Sequence, residues 1–135
     1  MLTELYDQVD YLSTHNYTMN SGQGTTNFVA AYKQLDSHIK NSGRVIEYVK
    51  AKNHFEKDLK ICLDEWNVWN FQDIKLDSLD DLQGLTTFEM TSAEKWEIAP
   101  SILQEKYSLL DAILVGGLGI TRLNNADIVE IACLA

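Results

Sequence analysis

The chain has 135 residues, the size of one ordinary domain, and 45% of them are hydrophobic, which is enough for a buried core and rules out wholesale disorder. Its net charge is −9 and its basic residues are scattered, which excludes nucleic acid as a partner, because phosphate contacts need clustered Lys and Arg. No apolar run is long enough to span a membrane, and Met1-Leu2-Thr3-Glu4 opens no signal peptide, so a cytoplasmic protein with no membrane partner is expected.

The first element predicted is a strand over Val9–Tyr17, with Val9, Tyr11 and Ser13 on one side and Asp10, Leu12 and Thr14 on the other. Residues 18–25, small, polar and glycine-bearing, read as a turn. A helix follows, capped by Thr25 or Thr26 and running to about Asn53, either as one element or as two with a bend. Phe28, Tyr32, Leu35 and Ile39 form its apolar stripe; Gly43 interrupts, and Val45, Ile46 and Val49 resume it. His38 and His54 lie on this segment and are assigned structural roles.

A second strand is predicted over Lys60–Trp69, its short continuous apolar run suiting a strand covered on both faces. By simple alternation Ile61 and Leu63 share the side of Glu65. The run Ile61-Cys62-Leu63-Asp64-Glu65-Trp66-Asn67-Val68-Trp69 ends in an acid, an amide and two indoles, placed together at one rim. This is the chemistry of a sugar pocket: rings stack on sugar C–H faces, amides bond hydroxyls, and a carboxylate can attack or stabilise an anomeric carbon.

Residues 70–105 are weakly patterned. Their acidic cluster, Asp77, Asp80 and Asp81, lacks the alternating spacing of a calcium loop and reads as a solvated surface. A helix is predicted from Tyr107 to about Leu123, with Gly116, Gly117 and Gly119 allowing close packing against a neighbour. Gly117-Leu118-Gly119 is no dinucleotide fingerprint, because Arg122 stands at the third glycine position. The last strand is Val129–Ala135, and a chain that stops inside an apolar strand reads as truncated. Cys62 and Cys133 sit in apolar runs and are expected to be reduced thiols, with no metal-ligand spacing around them.

Strand–helix–strand–helix–strand order predicts a parallel α/β arrangement whose carboxyl-end rim gathers His15, Tyr17, Glu65 and Trp69. The run ending Asp64-Glu65-Trp66-Asn67-Val68-Trp69 closely resembles the nucleophile strand of the glycoside hydrolase family 51 α-L-arabinofuranosidases. Val9–Tyr17, ending His15-Asn16-Tyr17, is similar to that family's sixth strand. Ala99-Pro100, Tyr107, Asp111-Ala112, Val115-Gly116-Gly117 and Ile131–Ala135 follow its path into the eighth. The resemblance implies that residues 1–135 are a C-terminal portion, about strands 6 to 8, of a (β/α)8 TIM-barrel catalytic domain, which in full needs about 250 residues. It implies that Glu65 is the catalytic nucleophile of a retaining enzyme, that His15, Tyr17 and Trp69 bind substrate, and that no cofactor or metal is needed.

Retaining glycosidases use two carboxyls. In the family the acid/base glutamate follows an Asn, and this chain has no Asn-Glu dipeptide. A sugar-contacting Gln beyond the final Cys-Leu-Ala is likewise absent. The expectation is therefore a fragment without useful turnover alone, whose partners are an arabinose-containing oligosaccharide and the missing N-terminal part of the barrel. A homo-oligomer is allowed for the full-length enzyme. Two alternatives stand beside it: a catalytically silent sugar-binding or assembly piece, and a related barrel glycosidase such as a xylanase or endoglucanase.

Overall fold

Three parallel strands in the order β1-β2-β3 form the sheet of the computed structural model, which describes residues 1–20, 24–70 and 107–135. In chain order the elements are helix α1 (Leu2–Leu5), a 3-10 turn (Tyr6–Gln8), β1 (Tyr11–Asn20), α2 (Thr25–Val29), α3 (Tyr32–Asn53), β2 (Lys60–Asn70), α4 (Leu109–Asn124) and β3 (Val129–Leu134). Sequential strand order with parallel pairing requires a crossover between each pair of strands, and crossovers of one hand stack their helices on one side of a sheet. The opposite face carries no described helix. The acidic cluster at Asp77, Asp80 and Asp81 lies outside the described residues, as does Ala99-Pro100.

The helical segment divides at Ala30–Ala31, so the bend lies there and not at Gly43. Phe28, Leu35, Ile39 and Ile46 of the expected stripe are buried, whereas Tyr32 and Val45 turn outward. Gly43 lies mid-helix and buried. A Cβ added there would meet Ile128 Cδ1, the terminal methyl of the residue entering β3, which would have to turn aside. Helix α3 ends where His54 adopts the left-handed conformation at φ 57° and its N–H returns to the carbonyls of Lys50 and Ala51. His38, at mid-helix, is half-buried, and its Nε2 lies 2.6 Å from Thr14 Oγ1, tying α3 to β1.

Helix α4 starts at Leu109 with Ser108 as its N-cap. The Asp111 carboxylate accepts from the Ser108 backbone N–H at 2.6 Å and from its hydroxyl at 2.7 Å, while the Ser108 oxygen accepts from Asp111 N–H. This is a capping box built with Asp in place of Glu. Ser108→Ala is expected to destabilise the chain by about 1 kcal/mol, a loss readable as a lower midpoint in urea denaturation. None of the three glycines makes an approach that a Cβ would prevent: at Gly117 a Cβ would lie in ordinary contact with the Tyr32 ring, 3.5 Å away, and at Gly119 the nearest atom is 3.9 Å away on Arg122. Gly116 faces open space.

One core lies between helices and sheet. Leu35, Ile39 and Ile46 of α3 and Leu114 and Leu118 of α4 pack with Ile61, Leu63, Trp66 and Val68 of β2. Tyr6 joins them, its ring stacked on Phe55 with centroids 4.6 Å apart. Every one of these β2 residues is buried, yet simple alternation cannot put 61, 63, 66 and 68 on one face. The register explains it. Ser13 pairs with Cys62 but His15 with Glu65, and Leu63 pairs with Ala132 but Trp66 with Leu134, so β2 spends three residues where each neighbour spends two. This β-bulge at Asp64-Glu65 resets the alternation. Ile61 and Leu63 therefore lie under the helices and not on the side of Glu65, correcting the expectation from alternation.

Strand β1 begins at Tyr11, so Val9 precedes it, and it continues through Thr18, Met19 and Asn20, which the composition assigned to a turn. Register pairing of Thr18, Met19 and Asn20 with Val68, Trp69 and Asn70 holds these residues extended despite their turn-like chemistry.

Candidate active site

The open face of the sheet presents Ser13, His15 and Tyr17 from β1 beside Asp64, Glu65, Asn67 and Trp69 from β2. Parallel pairing sets His15 directly opposite Glu65 and Tyr17 opposite Asn67, so two short sequence motifs far apart in the chain meet at one spot. The Tyr17 hydroxyl donates to Glu65 Oε2 at 3.2 Å, and His15 Nδ1 lies 3.5 Å from the same oxygen. The Tyr17 ring rests against Trp69, centroids 4.4 Å apart and planes inclined by 33°. All four residues singled out in the sequence thus stand together. Glu65 and His15 are each about half exposed, open to whatever approaches the sheet.

Desolvation of the ring, followed by the hydrogen bond and charge of Glu65, holds the Tyr17 phenol above its ordinary pKa. Tyr17 therefore stays a hydroxyl donor, and an ionised carboxylate is the partner it suits. Toward the β3 edge of the same face, Asn67 donates to the Ala135 carbonyl and stands 3.4 Å from the Tyr107 hydroxyl, while its own oxygen accepts from Val68 N–H at 2.7 Å.

Two residues depart from the expectation. Trp66 was expected at the rim with Trp69. It is buried beneath the sheet, and the Arg122 guanidinium from α4 sits over its ring, 3.1 Å from the centroid. Burial pulls the Arg122 pKa down to about 10. The bulge is the cause: shifting the phase after Glu65 turns Trp66 to the helices and leaves Trp69 as the one β2 indole on the open face.

Asp64, missed in the sequence, joins the site. Both its oxygens lie within hydrogen-bonding reach of Ser13 Oγ, at 3.0 and 2.9 Å, and His15 Nε2 is 3.2 Å from Oδ1. Its position next to Glu65 was visible, but adjacent strand residues ordinarily face opposite ways, and only the bulge brings both carboxylates to one face.

Cys62 and Cys133 are both thiols. Burial first, then Asp64 and Cys133, push the Cys62 thiol above its ordinary pKa. Among the described residues no group of three or more His, Cys, Asp or Glu is placed to hold a metal ion, and no described helix is long and apolar enough to cross a membrane.

Chemically, the face offers an anionic oxygen steadied by a phenol and approached by an imidazole, with an aromatic wall alongside. That arrangement suits attack on, or stabilisation of, a cationic carbon centre. The carboxyl next to Glu65, Asp64, is already engaged by Ser13 and His15.

Comparison with known proteins gives three concordant results. Residues 64–135, just over half the chain, match the family described as alpha-L-arabinofuranosidase C-terminal domain, a match that begins inside β2 at the bulge. The whole chain is 39% identical to an intracellular exo-alpha-(1->5)-L-arabinofuranosidase of Bacillus subtilis, covering 24% of it, and 37% identical to one of Acetivibrio thermocellus, covering 25%. Among solved structures, 99% of the chain superposes on 27% of a family 51 alpha-L-arabinofuranosidase from Bifidobacterium longum with a TM-score of 0.76 at 27% identity. The alpha-L-arabinofuranosidase of Thermotoga maritima, solved as an arabinose complex, gives 0.66 at 25% identity. The chain spans about a quarter of the length of the curated relatives it matches.

Proposed function

Because this chain belongs to the glycoside hydrolase family 51 α-L-arabinofuranosidases, we propose that it supplies the nucleophile-bearing sector of an enzyme that removes terminal non-reducing α-L-arabinofuranosyl residues from arabinose-containing oligosaccharides. The observation that carries this reading is the convergence on Glu65: one carboxylate oxygen held by Tyr17, faced by His15, with Trp69 beside it. Glu65 attacks the anomeric carbon as the glycosidic C–O bond breaks, the leaving oxygen taking its proton from the acid carboxyl supplied elsewhere in the barrel; water, giving its proton back to that carboxyl, then cleaves the arabinosyl ester with net retention. Trp69 and Tyr17 line the sugar's apolar face, and His15 stands beside the carboxylate, its Nδ1 3.5 Å from Oε2.

The architecture is consistent with a sector of a (β/α)8 barrel, about its sixth to eighth strands. The strands are parallel and sequential, the helices lie on one side, and the polar open face corresponds to the barrel's interior rim. In this reading residues 1–135 belong to the catalytic domain, and the acid/base carboxyl, which a retaining enzyme needs about 5–5.5 Å from the nucleophile, comes from another part of the barrel. This chemistry calls for no cofactor. The Bacillus subtilis and Acetivibrio thermocellus relatives carry "intracellular" in their names, which supports placing this protein inside the cell.

A chimera tests the reading. This chain replaces the matching quarter of the Bacillus subtilis relative, and hydrolysis of an aryl α-L-arabinofuranoside is followed. The chimera is expected to turn over, and the 135-residue chain alone is expected to show no useful turnover, since lacking a general acid costs about 10²–10⁴-fold. A folded chimera with no hydrolysis sinks the proposal. Glu65-dependent hydrolysis by the isolated chain would place the acid within it.

A further inference from the structure

We propose that Asp64 is a positioning residue that fixes the tautomer and ring plane of His15 and thereby sets how the imidazole meets Glu65. The inference rests on the reading of Glu65 as nucleophile, but its first test does not. Three observations carry it. The bulge in β2 turns Asp64 and Glu65 to the same face, although neighbouring strand residues normally diverge. Ser13 Oγ lies 3.0 and 2.9 Å from the two Asp64 oxygens and pins the carboxylate in place. His15 then spans the pair, Nε2 3.2 Å from Asp64 Oδ1 and Nδ1 3.5 Å from Glu65 Oε2.

Ionised carboxylates only accept hydrogen bonds. A neutral imidazole has one N–H to give; Asp64 Oδ1, 3.2 Å from Nε2, is the nearer of the two carboxylates, and we place the proton on Nε2. Nδ1 is then left facing Glu65, where it donates only when the ring is fully protonated. A carboxylate behind an imidazole plays this tautomer-setting role in other enzymes, where replacing it by the amide yields the wrong tautomer.

The experiment has two arms. In the 135-residue chain, the ring nitrogens of His15 are read by long-range proton–nitrogen correlation NMR across a pH titration. The wild type is expected to show the Nε2–H form in its neutral limb, and Asp64→Asn to move the population toward Nδ1–H. An unchanged tautomer in Asp64→Asn overturns the proposal. Should Asp64→Asn fail to fold, Ser13→Ala, which frees the Asp64 carboxylate, is expected to mix the two tautomers; ring signals unmoved by Ser13→Ala overturn the proposal equally.

In the chimera, Asp64→Asn is expected to lower kcat roughly 10-fold or more and to alter its pH profile, with little change in KM. A purely structural role would leave the profile's shape intact. Retention of full activity by Glu65→Ala would remove the nucleophile reading while leaving the tautomer result to decide the role of Asp64. An inactive Glu65→Ala with an unaffected Asp64→Asn would keep the nucleophile and discard the positioning residue.

Discussion

Glu65→Ala in the chimeric enzyme is expected to lower kcat by roughly 10⁴-fold or more, because the covalent route vanishes with its attacking oxygen. The loss should fall on kcat much more than on KM, since substrate contacts from Trp69 and Tyr17 persist. Removing the carboxylate also leaves a space beside the anomeric carbon. A small external nucleophile such as azide can enter it and displace the aglycone in one step, so azide should restore part of the rate with an activated aryl arabinofuranoside and yield a glycosyl azide of inverted configuration. Kinetics with and without azide, with product stereochemistry by NMR, make the check. Activity within tenfold of the parent chimera would remove Glu65 from the nucleophile's role.

Leu63→Ala is expected to cost about 2–5 kcal/mol of stability in the isolated chain. Leu63 is fully buried between β2 and the helices, sharing the core with Leu114 and Leu118. Truncation removes its transfer energy and leaves a cavity that a sheet pinned on both sides by β1 and β3 collapses poorly. At a few degrees per kcal/mol, the melting temperature should fall by about 10 °C. Glu65→Ala, two residues on but facing the open side, should move it far less, as surface changes away from a core usually stay within about 0.5 kcal/mol. The contrast tests the face assignment directly. A Leu63→Ala variant melting within about 2 °C of wild type would place that side chain outside the core.

Much of this was legible because β2 announces itself. A short apolar run passing into Asp64-Glu65-Trp66-Asn67 reads as a strand, and strand order alone brings His15 and Tyr17 beside Glu65. What escaped were features set by neighbours and not by local pattern. The bulge depends on how β2 registers against two partners at once, so neither the burial of Trp66 nor the entry of Asp64 into the site could be read from β2 by itself. Gly43 interrupts the apolar stripe in sequence, yet it lies buried mid-helix beside Ile128, a neighbour distant in the chain. The length of β1 was underestimated for the same cause: Thr18, Met19 and Asn20 are strand because their partners in β2 are.

The half-exposure of Asp64, Glu65 and His15 sets how strongly these groups feel one another. Two unit charges 4 Å apart interact by about 1 kcal/mol in bulk water and by about 4 kcal/mol at an effective dielectric near 20. Any cover that drives solvent off this face would therefore strengthen the couplings around Glu65 roughly fourfold without moving an atom. The geometry is set by this chain, whereas its electrostatic force depends on enclosure.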